Sequence, residues 1–292
     1  MATPFLDELH EDQRHHRMVR ALVNSSRHYG RKCAMTIRRT TLIVFCFLLL
    51  PRFPAFATSI VAIVGEKSIT IAADSIVIGN SIETGERVRV SECKIRCVDR
   101  GCFAASGRYG NNTIGYDLWQ LAETELRSSG SPNEMAERFK TVIGPLIPRL
   151  VAVSKEETPR TYAEWLKGSP VLAYLFAGFD GTGEPLVVSE QVMIDTEGRV
   201  LPIRESVRQG RMGTIRAVAL GRNLQIADFI NRNPTWTVSA TMQPTDFAER
   251  MIRLEIPASE DAGRRDVGEP IAVVTLYANG FTLESKGVCE GN

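Results

Sequence analysis

The sequence predicts an α+β fold in which antiparallel sheets are covered by pairs of helices. Its hydrophobic patterns occur in the order strands, two helices, strands, two helices and closing strands. Strands and helices do not alternate one by one, as they would around a parallel sheet. The chain contains no internal repeat and no low-complexity tract, which fits one folded domain behind an N-terminal leader.

The first half of the pattern opens with strands rich in β-branched residues and closes with two helices. Pro145 and Pro148 should bend or break the second of these helices. The polar stretch 154–170 predicts a loop that contains a short helix. The strand patterns are 58–65, 68–75, 88–98 and 102–107, and the helical patterns are 111–130 and 133–153.

The second half repeats this order and ends in two more strands. Thr245 or Asp246 is a suitable N-cap for its second helix. The strand patterns are 171–180, 185–194, 199–207, 215–221, 270–278 and 281–286, and the helical patterns are 222–232 and 245–256.

Residues 35–57 have the layout of a secretory signal peptide. Arg38 and Arg39 precede an apolar run from Leu42 to Leu50, and Ala55 and Ala57 supply the small residues that signal peptidase reads. A membrane anchor is the alternative, but a spanning helix needs about 20 apolar residues and prolines interrupt this run. We expect cleavage after Ala57 and a periplasmic or secreted protein, which would be membrane-anchored if left uncleaved.

The stretch 1–34 is polar and basic and is unusual in front of a signal peptide. It is interpreted as an over-called or disordered extension, with Met35 as the true start. Removing residues 1–57 takes away nine of the 35 basic and four of the 34 acidic residues, which leaves 235 residues with a net charge near −4. That length suits one domain, 58–292, with a sizeable core. No basic block remains, so we expect no nucleic-acid partner.

All four histidines precede residue 58. A chain that starts there cannot use Ser-His-Asp or Cys-His catalysis or most zinc hydrolase sites. If it is a hydrolase, its base must be an amine or a carboxylate, and we expect neither a cofactor nor a metal.

Four cysteines follow the leader: Cys93, Cys97, Cys102 and Cys289. Export would permit disulfides. Cys97 and Cys102 flank the turn VDRG and could face each other across a hairpin, although spacing alone does not fix the pairing. A tetracysteine zinc site is disfavoured because no CxxC pair is present.

Cleavage before Thr58 would place a hydroxyl and an α-amine on the same residue. The amine titrates near about 7.7–8.0, so it can take the hydroxyl proton and activate the threonine as a nucleophile. Such a site also needs a cation, a carboxylate that holds the cation, and a backbone N–H for the oxyanion. Lys94, Asp74 and Gly107 are the candidates on neighbouring strands.

These residues carry a resemblance to the N-terminal nucleophile hydrolases of the proteasome β-subunit type, including HslV, the peptidase of a bacterial ATP-dependent protease. The stretch TSIVAIVGEKSITIAADS resembles the opening of that family, with 16 residues from Thr58 to Asp74. CKIRCV resembles the segment with the family's active-site lysine, and FAASGRYG the segment whose glycine forms the oxyanion hole. GRRDVGEPIAVVTL resembles a late stretch of the family, which makes Asp266 a supporting carboxylate.

The resemblance implies a four-layer αββα sandwich, the N-terminal nucleophile hydrolase fold, and a ring-like homo-oligomer. The chain departs from the family in two places. Leu220 precedes Gly221 where the family usually has serine, and Ala57 replaces the glycine that self-processing members carry before the threonine. We therefore expect signal peptidase, rather than autolysis, to release Thr58.

The predicted function is an exported threonine-type hydrolase that cleaves an amide or peptide bond. Because ATP is lacking outside the cell, no ATP-driven unfoldase is expected, and the substrate would be a small amide, a peptide or an unfolded chain. The alternative is an inactive fold of this type that serves as an assembly or binding module.

Overall fold

The computed structural model describes residues 58–80, 87–210, 216–221, 223–232, 243–261, 265–284 and 289. The predictions of an N-terminal extension and a signal peptide lie outside these residues. Within them, no helix is both long enough and apolar enough to cross a membrane.

Fourteen strands and six helices are labelled here in chain order. The strands are β1 (Ser59–Val64), β2 (Ser68–Asp74), β3 (Ile76–Asn80), β4 (Arg87–Ser91), β5 (Ile95–Val98), β6 (Gly101–Gly107), β7 (Gly110–Asn111), β8 (Tyr116–Asp117), β9 (Leu172–Phe179), β10 (Pro185–Val192), β11 (Arg204–Gln209), β12 (Arg216–Gly221), β13 (Ile271–Tyr277) and β14 (Gly280–Leu283). The helices are α1 (Leu118–Arg127), α2 (Pro132–Ile143), α3 (Leu146–Glu157), α4 (Pro159–Leu166), α5 (Leu224–Arg232) and α6 (Pro244–Asp261).

Two five-stranded antiparallel sheets form the centre of the fold. The first has the order β12-β1-β2-β13-β14, and the second has the order β11-β10-β9-β6-β5. In the first sheet, β1 lies between β2 and β12, with Ile60 opposite Ala73 on one side and opposite Leu220 on the other. The N-terminal end of β1 is thereby fixed in the middle of a sheet.

Three apolar clusters define four layers. One lies between the two sheets and contains Ile60, Ala104 and Leu175. The second joins the outer face of the β9 sheet to helices α1 to α4, and the third joins the outer face of the β1 sheet to α5 and α6. The predicted αββα sandwich of antiparallel sheets between helix layers is therefore confirmed.

Strand β1 shows why the sequence reads as continuously apolar here. Ile60, Ala62 and Val64 face the other sheet, whereas Val61 and Ile63 face the helix layer. Side chains alternate across a strand, so a strand covered on both faces needs apolar residues at every position. Each large aliphatic side chain buried in this way contributes about 1.5–3 kcal/mol.

The helix boundaries differ from the predicted ones for local reasons. Residues 110–117 form the short β7–β8 hairpin around a 3-10 turn, and α1 begins only after its N-cap Asp117. The predicted break at Pro145 is confirmed, because α2 ends at Ile143 and α3 starts at Leu146. The short helix predicted within 154–170 is α4, but less of this segment is loop than expected, since α3 extends to Glu157. Helix α6 begins at Pro244, before both predicted caps, and continues to Asp261.

The strand patterns also needed correction around the first hairpins. The predicted strand 88–98 is two strands, and its first half, β4, pairs with β3, which the sequence reading did not identify. The predicted strand 199–207 is shifted, because β11 runs from Arg204 to Gln209. Both patterns are polar and exposed on one face, so apolar alternation marked their ends poorly.

Two disulfides link the four cysteines that follow the leader. Cys97 pairs with Cys102 across the β5–β6 hairpin, and Cys93 pairs with Cys289. Strand β5 is thus held at both ends, and the residue between Cys93 and β5 is Lys94.

Candidate active site

The candidate site lies where β1 begins. Thr58, directly before β1, is only 2% exposed. Its Oγ1 accepts a hydrogen bond from Lys94 Nζ at 2.8 Å and lies 3.0 Å from the hydroxyl of Tyr109. The Lys94 ammonium and the Tyr109 hydroxyl therefore hold the Thr58 side chain.

Lys94 connects Thr58 to Asp74. Its side chain is fully buried. Besides Thr58, Nζ donates to Asp74 Oδ2 at 3.0 Å and to the backbone carbonyl of Ile76. These three acceptors match the three protons of an ammonium group.

Asp74 lies at the end of β2 and is also fully buried. Its Oδ1 accepts the N–H of Ser59 at 2.7 Å, and its Oδ2 accepts the N–H of Ile76 at 3.0 Å in addition to Lys94. The contact with Ser59 ties this carboxylate directly to the residue after Thr58. Asp74 thus positions both the start of β1 and the lysine.

Burial dominates the electrostatics of this pair. Burial lowers the pKa of Lys94, and the negative charge of Asp74 opposes this shift. Burial also raises the pKa of Asp74, and the positive charge of Lys94 and the two backbone N–H groups oppose that shift. Each charge therefore depends on the other. Removing either residue would leave its partner buried without compensation.

Tyr109 is a site residue that the sequence reading missed. Its hydroxyl donates to the carbonyl of Ala105 at 3.0 Å, so the Thr58 hydroxyl is the donor in their mutual contact. Burial raises the pKa of Tyr109, which keeps the phenol neutral. Tyr109 follows the predicted oxyanion glycine by two residues, and that proximity was the available signal in the sequence.

Gly107 ends β6 with a φ of +125°, a conformation that favours glycine. A Cβ at this position would lie 2.5 Å from the carbonyl oxygen of Val171. Gly221 lies close to Thr58. A Cβ on Gly221 would lie 2.0 Å from the Thr58 carbonyl oxygen and 2.7 Å from the Ser106 hydroxyl. Glycine is therefore required at position 107 where β6 meets β9, and at position 221 where the chain passes Thr58.

Asp266 lies in the loop between α6 and β13 and is 2% exposed. Ser259 of α6 donates its hydroxyl to the Asp266 carboxylate and accepts the Asp266 N–H at 2.8 Å. Its charge is near enough to favour the protonated form of Lys94, against the larger effect of burial. The structure thus joins Thr58, Asp74 and Lys94 by direct hydrogen bonds and places Asp266 at longer range.

A separate cluster contains two exposed glutamates and one buried glutamate. Carboxylate oxygens of Glu137, Glu190 and Glu205 lie within 4.8 Å of one another. The ammonium of Lys140 lies among them, 2.7 Å from Glu137, 3.0 Å from Glu190 and 3.3 Å from Glu205. Lys140 thus occupies the position that a cation would take.

The solved structures that resemble the chain include two of Anbu, both at low sequence identity. No protein-family model matches the chain, and no curated protein matches it. Anbu, an ancestral β-subunit from Yersinia bercovieri, aligns at 13% identity and a TM-score of 0.47, over 77% of this chain and 86% of that one. An Anbu (Gly-1) mutant from Hyphomicrobium sp. strain MC1 aligns at 15% identity and a TM-score of 0.43, over 78% and 85%.

Proposed function

We propose that the chain is an exported threonine-type hydrolase that cleaves an amide or peptide bond after it has been cut before Thr58. The observation that carries this proposal is the buried Lys94, which bonds both Thr58 Oγ1 and Asp74. A buried ammonium aimed at a hydroxyl is costly to maintain, and it stabilises charge that develops on that oxygen.

In the proposed reaction, the α-amine of Thr58 removes the hydroxyl proton while Oγ1 attacks the substrate carbonyl. The Gly107 N–H binds the oxyanion of the tetrahedral intermediate. The C–N bond then breaks, the leaving amine takes the proton from the Thr58 ammonium, and an ester to Oγ1 remains. Water attacks this ester with the same amine as base, which releases the acid and restores the hydroxyl.

The charge of Lys94 has two effects in this scheme. It disfavours a second positive charge on the Thr58 amine, so that more of the amine is neutral at physiological pH. It also stabilises the alkoxide that forms as Oγ1 loses its proton. Asp74 keeps the lysine charged, and Asp266 adds negative charge on the same side.

Maturation and partners follow from the leader sequence. Signal peptidase is proposed to cut after Ala57, in an oxidising compartment that also permits the two disulfides. The substrate would be a peptide or a small amide, with no ATP-driven unfoldase. A ring-like homo-oligomer remains part of the proposal.

The mass of the protein isolated from its own compartment tests the proposal first. A chain that starts at Thr58 is expected, whereas one that starts at Met1 or Met35 would exclude the mechanism. The processed protein should then hydrolyse fluorogenic peptides and react with a covalent probe for N-terminal threonine. Thr58→Ala should abolish both, and Thr58→Ser, which keeps a hydroxyl, should retain part of the activity.

A second candidate is a non-catalytic assembly or binding module. Leu220 favours it, because this side chain is 2% exposed in the core between the sheets, where a serine would have supplied a polar group near Thr58. Probe labelling of the processed protein that is unchanged by Thr58→Ala would support this second function.

A further inference from the structure

Arg96 of β5 carries buried hydrogen-bond donors that have no acceptor. Its Nε and Nη1 are buried and unpaired, and so is Nε1 of Trp119. The guanidinium lies over the Trp119 ring, 5.4 Å from its centroid. Across the part of the chain that the structure describes, Arg96 forms no ion pair.

Such donors are expensive for a folded protein. A buried N–H without a partner loses its bonds to water, and the cost is larger for a charged group. The contact with the Trp119 ring offsets part of this cost through a cation–π interaction, but it satisfies none of the three donor nitrogens. These donors therefore suit an acceptor that arrives with a ligand.

The position of these donors connects them to the nucleophile. The Trp119 ring packs against the Tyr109 ring at 5.2 Å, and the Tyr109 hydroxyl lies 3.0 Å from Thr58 Oγ1. Arg96 also follows Lys94 by two residues, with the start of β5 between them. The contacts from Thr58 Oγ1 to Tyr109, from Tyr109 to Trp119 and from Trp119 to Arg96 measure 3.0, 5.2 and 5.4 Å. Extended chain spans roughly 3.3–3.6 Å per residue, so a few residues of bound substrate would cover this series of contacts.

The charge balance around the site favours an anion at Arg96. Lys94, the other cation on this segment, is already paired with Asp74. Arg96 has no such partner, and arginine matches the planar geometry of a carboxylate better than any other side chain. The indole N–H of Trp119 adds a neutral donor beside it.

We propose that Arg96 and Trp119 form a subsite for a carboxylate on the acyl side of the substrate, which selects an acidic residue within three positions before the scissile bond. This inference rests on the proposed function, because it assigns a substrate class to the Thr58 site. Arg96 acts here as a binding residue and takes no part in bond breaking.

The test compares the processed wild-type protein on matched fluorogenic peptides that carry Glu or Gln at each of those three positions. At one position, Glu should raise kcat/KM by roughly 10- to 100-fold over Gln, as expected for a charge-assisted hydrogen bond. This comparison needs no variant, so it does not depend on the folding of a mutant.

Variants then assign the preference to Arg96. Arg96→Gln should bring the Glu-to-Gln ratio close to one, and Arg96→Lys should give an intermediate ratio. Arg100→Gln is the matched control, because Arg100 is exposed in the turn of the same hairpin and its loss changes the net charge equally. That control should keep the wild-type ratio.

The outcomes separate the two proposals. Hydrolysis that needs Thr58 but is equal for Glu and Gln at all three positions would overturn the carboxylate subsite alone. A preference for Glu that survives Arg96→Gln would likewise overturn the role of Arg96. Absence of any hydrolysis by the chain that starts at Thr58 would overturn the proposed function and the subsite with it.

Discussion

Replacing Lys94 by Met would remove the ammonium that joins Thr58 to Asp74. The unbranched Met side chain fills most of the same volume. Asp74 would keep its two backbone N–H partners but would lose the only ion-pair partner that it has among the described residues. The variant therefore isolates the cost of a buried, uncompensated carboxylate.

The expected loss is large because both side chains are fully buried. Breaking a buried ion pair by removing one partner costs about 3–5 kcal/mol. In a domain of this size, each kcal/mol shifts Tm by about 2–4 °C, so Tm should fall by about 6–20 °C. The double substitution Lys94→Met with Asp74→Asn should recover part of the loss, since neither member of the pair would then carry a buried charge.

Lower pH should reduce the loss of stability that Lys94→Met causes. Burial raises the pKa of Asp74, and Lys94 opposes that rise in the wild type. Without Lys94, the folded-state pKa of Asp74 rises further above its unfolded value of 3.8. The variant therefore loses stability above pH 3.8 and regains it as the pH falls and the unfolded chain also becomes protonated at Asp74. The difference in unfolding free energy between wild type and variant should therefore shrink from pH 7 to pH 4.

Urea unfolding followed by circular dichroism measures these differences in the oxidised protein. Lys155→Met, at an exposed position of α3, is the matched control and should change stability by less than about 0.5 kcal/mol. If Lys94→Met were as stable as this control at pH 7, or if its deficit did not depend on pH, the buried pair would not have the energetic role assigned to it.

Further predictions concern the surrounding structure. Gly107→Ala should lower Tm strongly, because its Cβ would lie 2.5 Å from a backbone oxygen. Gly115→Ala, at φ +65° with open space around it, should reduce the free energy of unfolding by about 1 kcal/mol. Equal Tm values for the two variants would contradict this argument. Cys289→Ser opens a loop of 196 residues and should lower the free energy of unfolding by about 5 kcal/mol. Cys97→Ser opens a loop of only 5 residues and should lower it by about 2 kcal/mol. The reverse order in urea unfolding would refute the loop-entropy argument. The backbone N–H of its capping serine lowers the pKa of Glu134 from 4.5, so its contribution to stability is present above pH 4.5 and lost as the pH falls through the lowered pKa. Glu134→Gln should be less stable than wild type at pH 7, and the difference in unfolding free energy should shrink as the pH falls below 4.5.

The fold class was predictable because both sheets are covered on both faces. Apolar runs such as 58–64 stand out where every residue of a strand is buried. Strand β4 lacked this signal, because its residues Arg89 to Ser91 are exposed, and its pairing with β3 had to come from tertiary structure. The helical pattern 133–153 and the short helix expected within 154–170 correspond to α2, α3 and α4, although α3 extends past the predicted end at residue 153.

The candidate site was predicted to the extent that its residues follow the order of a known family. Thr58, Asp74 and Lys94 are joined by hydrogen bonds, and their catalytic roles remain predictions. Tyr109 and Arg96 were not identified, because nothing in a linear pattern distinguishes a tyrosine that reaches a threonine across 51 residues from one that packs in a core. Their roles depend on which side chains the two sheets bring together.

The hydrogen bonds around Thr58 form while Thr58 still has a peptide bond on its N-terminal side. Lys94 and Tyr109 already hold Oγ1, and Asp74 already holds both Lys94 and the N–H of Ser59. Cleavage before Thr58 would therefore add the α-amine beside hydrogen bonds of Lys94, Tyr109 and Asp74 that are already in place. Because preorganised donors do not have to be rearranged during the reaction, the proposed enzyme would gain its activity from one bond cleavage with little change in structure. A processed protein whose amide hydrogen exchange near β1 and β5 matches that of the precursor would agree with this argument, and widespread new protection after cleavage would contradict it.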